Sequence, residues 1–232
     1  MPFFFFDSTM LLLVPCGILA LYAQYKVRKT YKEFSRVTSA AGLSGAETAH
    51  RILQQHNLYD VGIEEVPGTL SDHYDPRDKV VRLSSDIYHG HHLAGLAVAA
   101  HEVGHALQHA KGYFPLHLRH TVLPVANLGS TLAFPLFLAG MFFSSSGLGF
   151  LMDLGILFFA AAVAFSFVTL PVEFNASSRA MRLLAEGRFL ARQEIHLARK
   201  VLNAAALTYV AATAMALMQL VRLLMLRGSS DE

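Results

Sequence analysis

The chain has 232 residues, of which 53% are hydrophobic and only 16% are charged. Soluble domains typically carry about 25% charged residues, so this composition indicates either an unusually large buried core or contact with lipid. It excludes intrinsic disorder and a basic nucleic-acid-binding tail, and the net charge of +2 gives no reason to expect a polyanionic partner.

Long stretches without a charged residue show where the apolar residues lie along the chain. The first covers residues 10–25, with Phe3–Phe6 as an extension that Asp7 interrupts, and it contains the only cysteine, Cys16. One cysteine excludes an intramolecular disulfide and a cysteine-based zinc finger. A helix needs about 20 apolar residues to span the hydrocarbon core, so lipid contact is favoured over a buried core. Four transmembrane helices are therefore predicted, the later three at residues 121–143, 154–172 and 201–221.

The positions of the positive charges predict the orientation in the membrane. Nearly all Lys and Arg residues lie in residues 26–119 and 179–200, whereas residues 1–8 and 144–149 contain none. Cytoplasmic segments of membrane proteins carry an excess of Lys and Arg, so we expect both basic segments in the cytoplasm. The basic residues follow the first apolar stretch rather than precede it, which predicts an uncleaved anchor and not a signal peptide.

The region between the first two apolar stretches is polar enough to fold in water. Ser44-Gly45-Ala46-Glu47 is a capping box, and it predicts a helix that ends near Asn57. A small three-stranded meander is predicted from the apolar segments and turns that follow, with strands at residues 63–66, 70–74 and 79–83. Three aspartates in this region lack the central Gly and distal Glu of a calcium-binding loop, so we interpret them as turn residues: Asp72, Asp75 and Asp78.

A second helix, predicted between Gly90 and Gly112, carries His101-Glu102-Val103-Gly104-His105, the H-E-x-x-H pattern. Four residues advance a helix by about 400°, so both histidines share one face and can reach one tetrahedral ion. Glu102 lies on the adjoining edge, where it can contact water beside a metal without displacing it. Gly104 costs the helix about 1 kcal/mol relative to Ala, so we expect close backbone packing there.

A catalytic zinc ion takes three protein ligands and keeps one position for water, so a third ligand must come from elsewhere. Glu173 stands directly after the third apolar stretch and is the only carboxylate between Asp153 and Glu186. A lone Glu at a membrane boundary is also typical of a helix N-terminus, where the helix dipole favours it. The residue pattern leaves both interpretations of Glu173 open.

Other polar residues are weaker candidates. A second metal site is conceivable at His89, His91 and His92, but a polar loop before a helix explains them equally and is favoured. His109 continues the face of His101 and His105 by one turn and is interpreted as a supporting or packing residue. Stabilising a developing oxyanion requires a further donor, for which the sequence offers four candidates without choosing between them: His73, Tyr74, Arg179 and Tyr209.

The chain resembles the YugP-like neutral zinc metallopeptidases of bacterial membranes in five segments: GLSGAETAHRIL, IEEVPGTLSDHYDPRDKVVRLS, AVAAHEVGHALQHA, LPVEFNASSRA and KVLNAAALTYVAA. They follow in order between Tyr25 and Leu226, nearly the whole chain. The resemblance implies a mainly α membrane protein, in which four transmembrane helices accompany a small α+β cytoplasmic domain. That domain is expected to be a minimal gluzincin, similar to the HtpX and CAAX-prenyl-protease group.

The resemblance also implies the roles of individual residues. It makes His101, His105 and Glu173 the ligands of a Zn²⁺ ion and Glu102 the general base of peptide-bond hydrolysis. Asn175 departs from the family pattern, in which we expect Asp at this position. If that Asp orients a ligating histidine, Asn keeps only part of the role and loses the charge.

Five segments are predicted from these features: an anchor at 1–25, a cytoplasmic zincin domain at 26–120, a transmembrane hairpin at 121–172, a cytoplasmic helix with the third ligand at 173–200, and a C-terminal transmembrane helix at 201–226. We expect a multi-pass protein of the bacterial inner membrane. Its expected partners are the lipid bilayer, a protein or peptide substrate and unidentified membrane proteins, and no nucleic acid.

The alternative function is a catalytically weak, zinc-bearing membrane scaffold or adaptor. Glu102 argues against it, because a scaffold has no use for a base beside the metal.

Overall fold

The computed structural model describes residues 8–229 of the chain. This part contains seven α-helices and three β-strands. A 3-10 helix, Ser8–Leu12, leads into α1, Leu13–Phe34, and α2 covers Gly45–Gln55. The strands are β1, Gly62–Val66, β2, His73–Asp75, and β3, Val80–Ser84. The remaining helices are α3, Ser85–His89, α4, Leu93–Ala110, α5, Phe114–Phe142, α6, Phe150–Glu186, and α7, Arg192–Gly228.

The described residues form two compact units. The first, called the helical unit here, comprises residues 8–22, 117–171 and 208–229. The second, called the sheet unit, comprises residues 23–116 and 172–207. Four helices, α1, α5, α6 and α7, contribute residues to both units.

Four helical segments are long and apolar enough to cross a membrane: Ser8–Phe34, Phe114–Phe142, Phe150–Glu186 and Arg192–Gly228. They contain the charge-free stretches from which four apolar helices were predicted, except for Phe143, which follows the second of these helices, and they extend beyond these stretches. The extension through Phe3–Phe6 and Asp7 lies outside the described residues. Glu173 is therefore an interior residue of α6 and does not stand at a helix N-terminus, so the helix dipole does not explain it.

Small residues allow the helices of the helical unit to approach closely. A Cβ atom built on Gly155 of α6 would lie 2.6 Å from the main-chain oxygen of Ala133 in α5, so a side chain there is excluded. Phe137 and Met152 are buried beside this contact. Small residues at such crossings are typical of helices that associate in lipid, where van der Waals packing replaces the hydrophobic effect.

The predicted capping box is present at the start of α2. The Ser44 hydroxyl accepts a hydrogen bond from the Glu47 main-chain N–H at 3.1 Å, and the Glu47 carboxylate accepts one from the Ser44 N–H at 2.8 Å. The helix ends at Gln55, and Asn57 follows with a left-handed φ of 59°. Both ends of this predicted helix are thereby confirmed.

The three predicted strands are present, but their order in the sheet is β1-β3-β2, so the predicted meander is wrong. β2 and β3 form the expected antiparallel hairpin across the Asp75-Pro76 turn, whereas β1 pairs with β3 in parallel. The reason lies in β3, where Val81 and Leu83 are fully buried. The most apolar strand takes the centre of the sheet, and β1 and β2 take the edges.

The three aspartates near this sheet accept hydrogen bonds from its turns and strands. Asp72 accepts from the Ser84 main-chain N–H at 2.7 Å, and Asp75 accepts from the Arg77 N–H at 2.8 Å. Asp78 pairs with the Arg82 guanidinium at 2.7 Å. These contacts agree with the interpretation of the aspartates as turn residues.

The core of the sheet unit surrounds α4, which packs against α2, α3 and the sheet. Its apolar side chains are buried on more than one face, including Leu93, Leu96, Val103 and Leu107. The helix ends before Gly112, whose φ of 60° is the left-handed conformation that glycine adopts without strain. A helix buried in this way holds its polar side chains in fixed positions.

Candidate metal centre

Three potential metal ligands meet between α4 and the part of α6 that belongs to the sheet unit. The ligating atoms of His101, His105 and Glu173 all lie within 4.8 Å of one another. Glu173 Oε2 is 3.3 Å from His101 Nε2 and 3.6 Å from His105 Nε2. The side chains are mostly buried, with exposed fractions of 14% for His101, 11% for His105 and 3% for Glu173.

The backbone of α4 brings the two histidines to Glu173. One helical turn separates His101 from His105, and their ring centroids are 4.8 Å apart with nearly perpendicular planes. Between them, Gly104 faces α6 so closely that a Cβ atom would lie 2.8 Å from the Ala176 oxygen. The expected close backbone packing at Gly104 is therefore confirmed, and any larger residue would push the two helices apart.

Glu102 is buried beside this triad and is not one of its three members. Burial raises the pKa of Glu102 to about 7; the charge of Glu173 raises it as well, while His101 and a hydrogen bond from the Tyr74 main-chain N–H lower it. A carboxyl group that gains and loses a proton near neutral pH is suited to general acid-base chemistry.

The donor set fits a zinc ion. Two imidazole nitrogens and one carboxylate oxygen are the ligands of one known class of catalytic zinc site, which leaves a fourth position for water or substrate. Tetrahedral ligands about 2.0–2.1 Å from a zinc ion are roughly 3.3 Å from one another. The separations of 3.3 Å and 3.6 Å from Glu173 to the two histidines are close to that value.

Each histidine of the triad has a hydrogen-bond partner on its other ring nitrogen. His105 Nδ1 is 3.0 Å from Gln108 Oε1, and His101 Nδ1 is 3.2 Å from the Ser177 hydroxyl. Neither Gln108 nor Ser177 was recognised from the sequence. Gln108 lies three residues after His105, a spacing that brings side chains together on a helix, but the same spacing is common where nothing is bound.

Asn175, where the resemblance predicts Asp, hydrogen-bonds to Gln108 and Arg179 and not to either histidine. Its Oδ1 accepts hydrogen bonds from Gln108 Nε2 at 3.0 Å and from Arg179 Nε at 2.7 Å. Asn175 thus contacts His105 only through Gln108. An acceptor oxygen is all that these two contacts require, and Asn supplies one as Asp would.

The four candidate oxyanion donors are not all at the triad. Tyr74 is adjacent to it through the main-chain contact with Glu102, while its hydroxyl is 2.9 Å from His109 Nδ1. Arg179 is two contacts removed from His105, through Asn175 and Gln108. His73 is exposed and its Nδ1 is 2.9 Å from the Ser71 oxygen, and Tyr209 belongs to the helical unit.

The histidines that precede α4 have separate partners. The His92 side chain caps α4 by accepting from the Gly95 main-chain N–H at 2.9 Å, and His91 Nδ1 is 3.0 Å from the Gly42 oxygen. His89 is 3.0 Å from a carboxylate oxygen of Glu65. Among the described residues, the only group of three or more His, Cys, Asp and Glu side chains close enough to share an ion is the triad.

Comparison with known proteins gives two matches. The model of a family described as "Putative neutral zinc metallopeptidase" matches residues 9–228. The "Putative membrane protease YugP" of Bacillus subtilis (strain 168) is 50% identical over 208 residues, which cover 90% of this chain and 91% of that protein. No solved structure matches the chain.

Proposed function

The chain belongs to this family of neutral zinc metallopeptidases, and we propose that it hydrolyses peptide bonds with a zinc ion held by His101, His105 and Glu173. The observation that carries the proposal is the meeting of these three side chains beside a buried Glu102. A scaffold that only bound zinc would need the three ligands, but it would not need a fourth, ionisable group next to them.

The proposed mechanism assigns one task to each group of the site. When bound, zinc is a Lewis acid that polarises the scissile carbonyl and activates water at neutral pH. Glu102 takes the proton of the attacking water and then delivers it to the leaving amine nitrogen. The low exposure of His101, His105 and Glu173 limits access of bulk water, so the charges that develop during reaction are screened less than in solution.

We propose that the substrate lies in an extended conformation along β2. This strand is at an edge of the sheet, and an edge strand can pair with an added strand through its main-chain groups. Its central residue, Tyr74, already contacts Glu102 through a main-chain N–H. A peptide paired with β2 would therefore have a bond beside the proposed base, and we favour Tyr74 among the four oxyanion candidates because it is the one in contact with Glu102.

We propose that the protein is a multi-pass protein of the bacterial inner membrane with its catalytic residues on the cytoplasmic side. The four apolar helices and the 50% identical membrane protease support the membrane assignment. The basic segments 26–119 and 179–200 support the orientation, because Lys and Arg are retained in the cytoplasm. In this assignment the membrane segments are 121–172, 201–226 and the described part, 8–25, of the anchor predicted at 1–25. Residues 26–120 and 173–200 form a zincin domain of the minimal gluzincin type.

The test is the Glu102→Gln variant of the full chain, purified in detergent. We expect the wild type to contain zinc and to cleave a generic unfolded protein, and a chelator to stop the cleavage. Glu102→Gln should retain zinc, because Glu102 is not a ligand, and should lose cleavage. Undiminished cleavage by the variant would contradict the role of Glu102, and zinc binding without cleavage in the wild type would favour the scaffold. Capture of proteins on the variant from native membranes would then identify substrates.

A further inference from the structure

Gln108 is a fully buried polar side chain that connects the proposed metal centre to α6. Its Oε1 is 3.0 Å from His105 Nδ1. Its Nε2 lies 2.8 Å from the main-chain oxygen of Val172 and 3.0 Å from Asn175 Oδ1. The amide oxygen of Gln108 therefore has one hydrogen-bond partner and its NH₂ group has two, as a buried amide requires.

The contacts with Val172 and Arg179 determine which atom is the oxygen and which the nitrogen in the side-chain amides of Gln108 and Asn175. The Val172 carbonyl can only accept, so the Gln108 atom that faces it must be the NH₂ group. The Arg179 guanidinium can only donate, so the Asn175 atom 2.7 Å from Arg179 Nε must be the oxygen. The Gln108 NH₂ group then donates to the Asn175 oxygen, so the two independent constraints agree.

This orientation fixes the state of one ring nitrogen of His105. The Gln108 oxygen accepts and cannot donate, so His105 Nδ1 must carry a proton and donate it. The imidazolium carries a proton on both nitrogens, whereas the neutral imidazole has one N–H. In the neutral ring the lone pair is therefore on Nε2, the atom 3.6 Å from Glu173 Oε2. His101 differs, because the Ser177 hydroxyl can donate or accept and imposes no tautomer.

We propose that Gln108, oriented by Asn175 and Arg179, is a positioning residue that holds His105 in the tautomer with its lone pair on Nε2, ready to bind zinc. The proposal rests on the zinc site of the proposed function but concerns the metal-free protein as well. We call this series of hydrogen bonds from His105 through Gln108 and Asn175 to Arg179 the relay. A ligating histidine is often supported by a carboxylate, whereas here two neutral amides take that place. The relay ends in the positive charge of Arg179, whose guanidinium lies 5.8 Å from the Tyr113 ring.

The tautomer is measurable without zinc and without any activity. Protein labelled with ¹⁵N-histidine, freed of metal in detergent and held at alkaline pH, gives distinct signals for protonated and unprotonated ring nitrogens. The His105→Gln variant identifies the signals of His105. We expect a protonated Nδ1 and an unprotonated Nε2 in the wild type, and a mixture of tautomers in Gln108→Leu, which removes the acceptor. A wild-type His105 with its proton on Nε2 would overturn the proposal, whatever the variants do.

Zinc affinity is the second readout, with Gln55→Leu, at an exposed glutamine of α2, as the matched control. Outer-sphere partners of a ligating histidine typically contribute about 10–100-fold to metal affinity, so Gln108→Leu should bind zinc that much more weakly. Gln55 is exposed and is not part of the triad, so Gln55→Leu should keep both the tautomer and the zinc affinity. Gln108→Leu with unchanged tautomer and affinity would refute the relay.

The outcomes also separate this proposal from the proposed function. If the wild type binds no zinc, the function fails while the tautomer measurement still decides the role of Gln108. If the wild type binds zinc and cleaves but Gln108→Leu behaves as the wild type does, only the relay fails. If Gln108→Leu does not fold, the wild-type tautomer decides alone.

Discussion

The main-chain oxygen of Ala176 lies 2.8 Å from the position that a Cβ atom on Gly104 would occupy. Gly104 stands between His101 and His105 on α4, and Ala176 follows Glu173 by three residues on α6. The backbones of α4 and α6 therefore approach each other closely beside the three candidate ligands. A hydrogen atom in place of a side chain is what permits it.

We expect Gly104→Ala to destabilise the protein and weaken zinc binding. Ala is favoured over Gly by about 1 kcal/mol in a helix, but overpacking a buried contact costs about 1–3 kcal/mol. Gly17→Ala is the matched control, since the nearest atom to a Cβ there is 3.9 Å away and only the helical preference changes. Denaturant unfolding and zinc competition titrations measure both effects, and a Gly104→Ala protein as stable as Gly17→Ala would contradict the prediction.

Glu173→Gln should reduce zinc affinity by more than the roughly 10–100-fold typical of outer-sphere contacts, because it neutralises a ligand. Glu186→Gln is the control on the same helix, since this carboxylate is exposed and is not in the triad. Competition with a chromogenic chelator gives both dissociation constants. Equal zinc affinity in the two variants would exclude Glu173 as a ligand.

Asp72→Asn should gain stability relative to the wild type as the pH rises. Burial raises the pKa of Asp72 above its ordinary value of 3.8, although hydrogen bonds from Ser84 oppose the shift. A raised pKa in the folded state means that the folded protein favours the protonated carboxyl group of Asp72. The free energy of unfolding of the wild type is therefore highest at low pH and decreases as the pH rises through the folded-state pKa. The amide side chain of the variant cannot ionise and still offers an acceptor oxygen to Ser84. Unfolding curves of both proteins at several pH values test this, and a constant difference would show that Asp72 ionises as readily when folded.

Cysteine labelling in whole cells should reveal the orientation of the loops. Cys16 is the only cysteine and is buried, so single cysteines can be added without replacing it. We expect Ser145→Cys, between α5 and α6, to react with a membrane-impermeant maleimide added outside. Gln54→Cys, in the polar segment that carries the basic residues, should react only after the cells are opened. The reverse pattern would place the candidate site outside the cytoplasm.

Local regularities made much of this protein predictable. The helix between Gly90 and Gly112 and the shared face of His101 and His105 follow from the 3.6-residue period, which any helix obeys. The capping box at Ser44 and the four apolar helices follow from equally local rules. Tyr74 and the β2-β3 hairpin were placed correctly for the same reason, because a turn at Asp75-Pro76 joins neighbours in the chain.

Relationships between distant segments were not available from such rules. β1 pairs with β3 and not with its neighbour β2, because burial of Val81 and Leu83 places β3 at the centre of the sheet. Glu173 could be a ligand or an isolated charge on the pattern alone, and only the packing of α6 on Gly104 brings it to the histidines. Gln108 acquires its contact with Asn175 through the same packing. Spacing along one helix decides which side chains share a face, whereas burial and close packing between helices decide what that face meets.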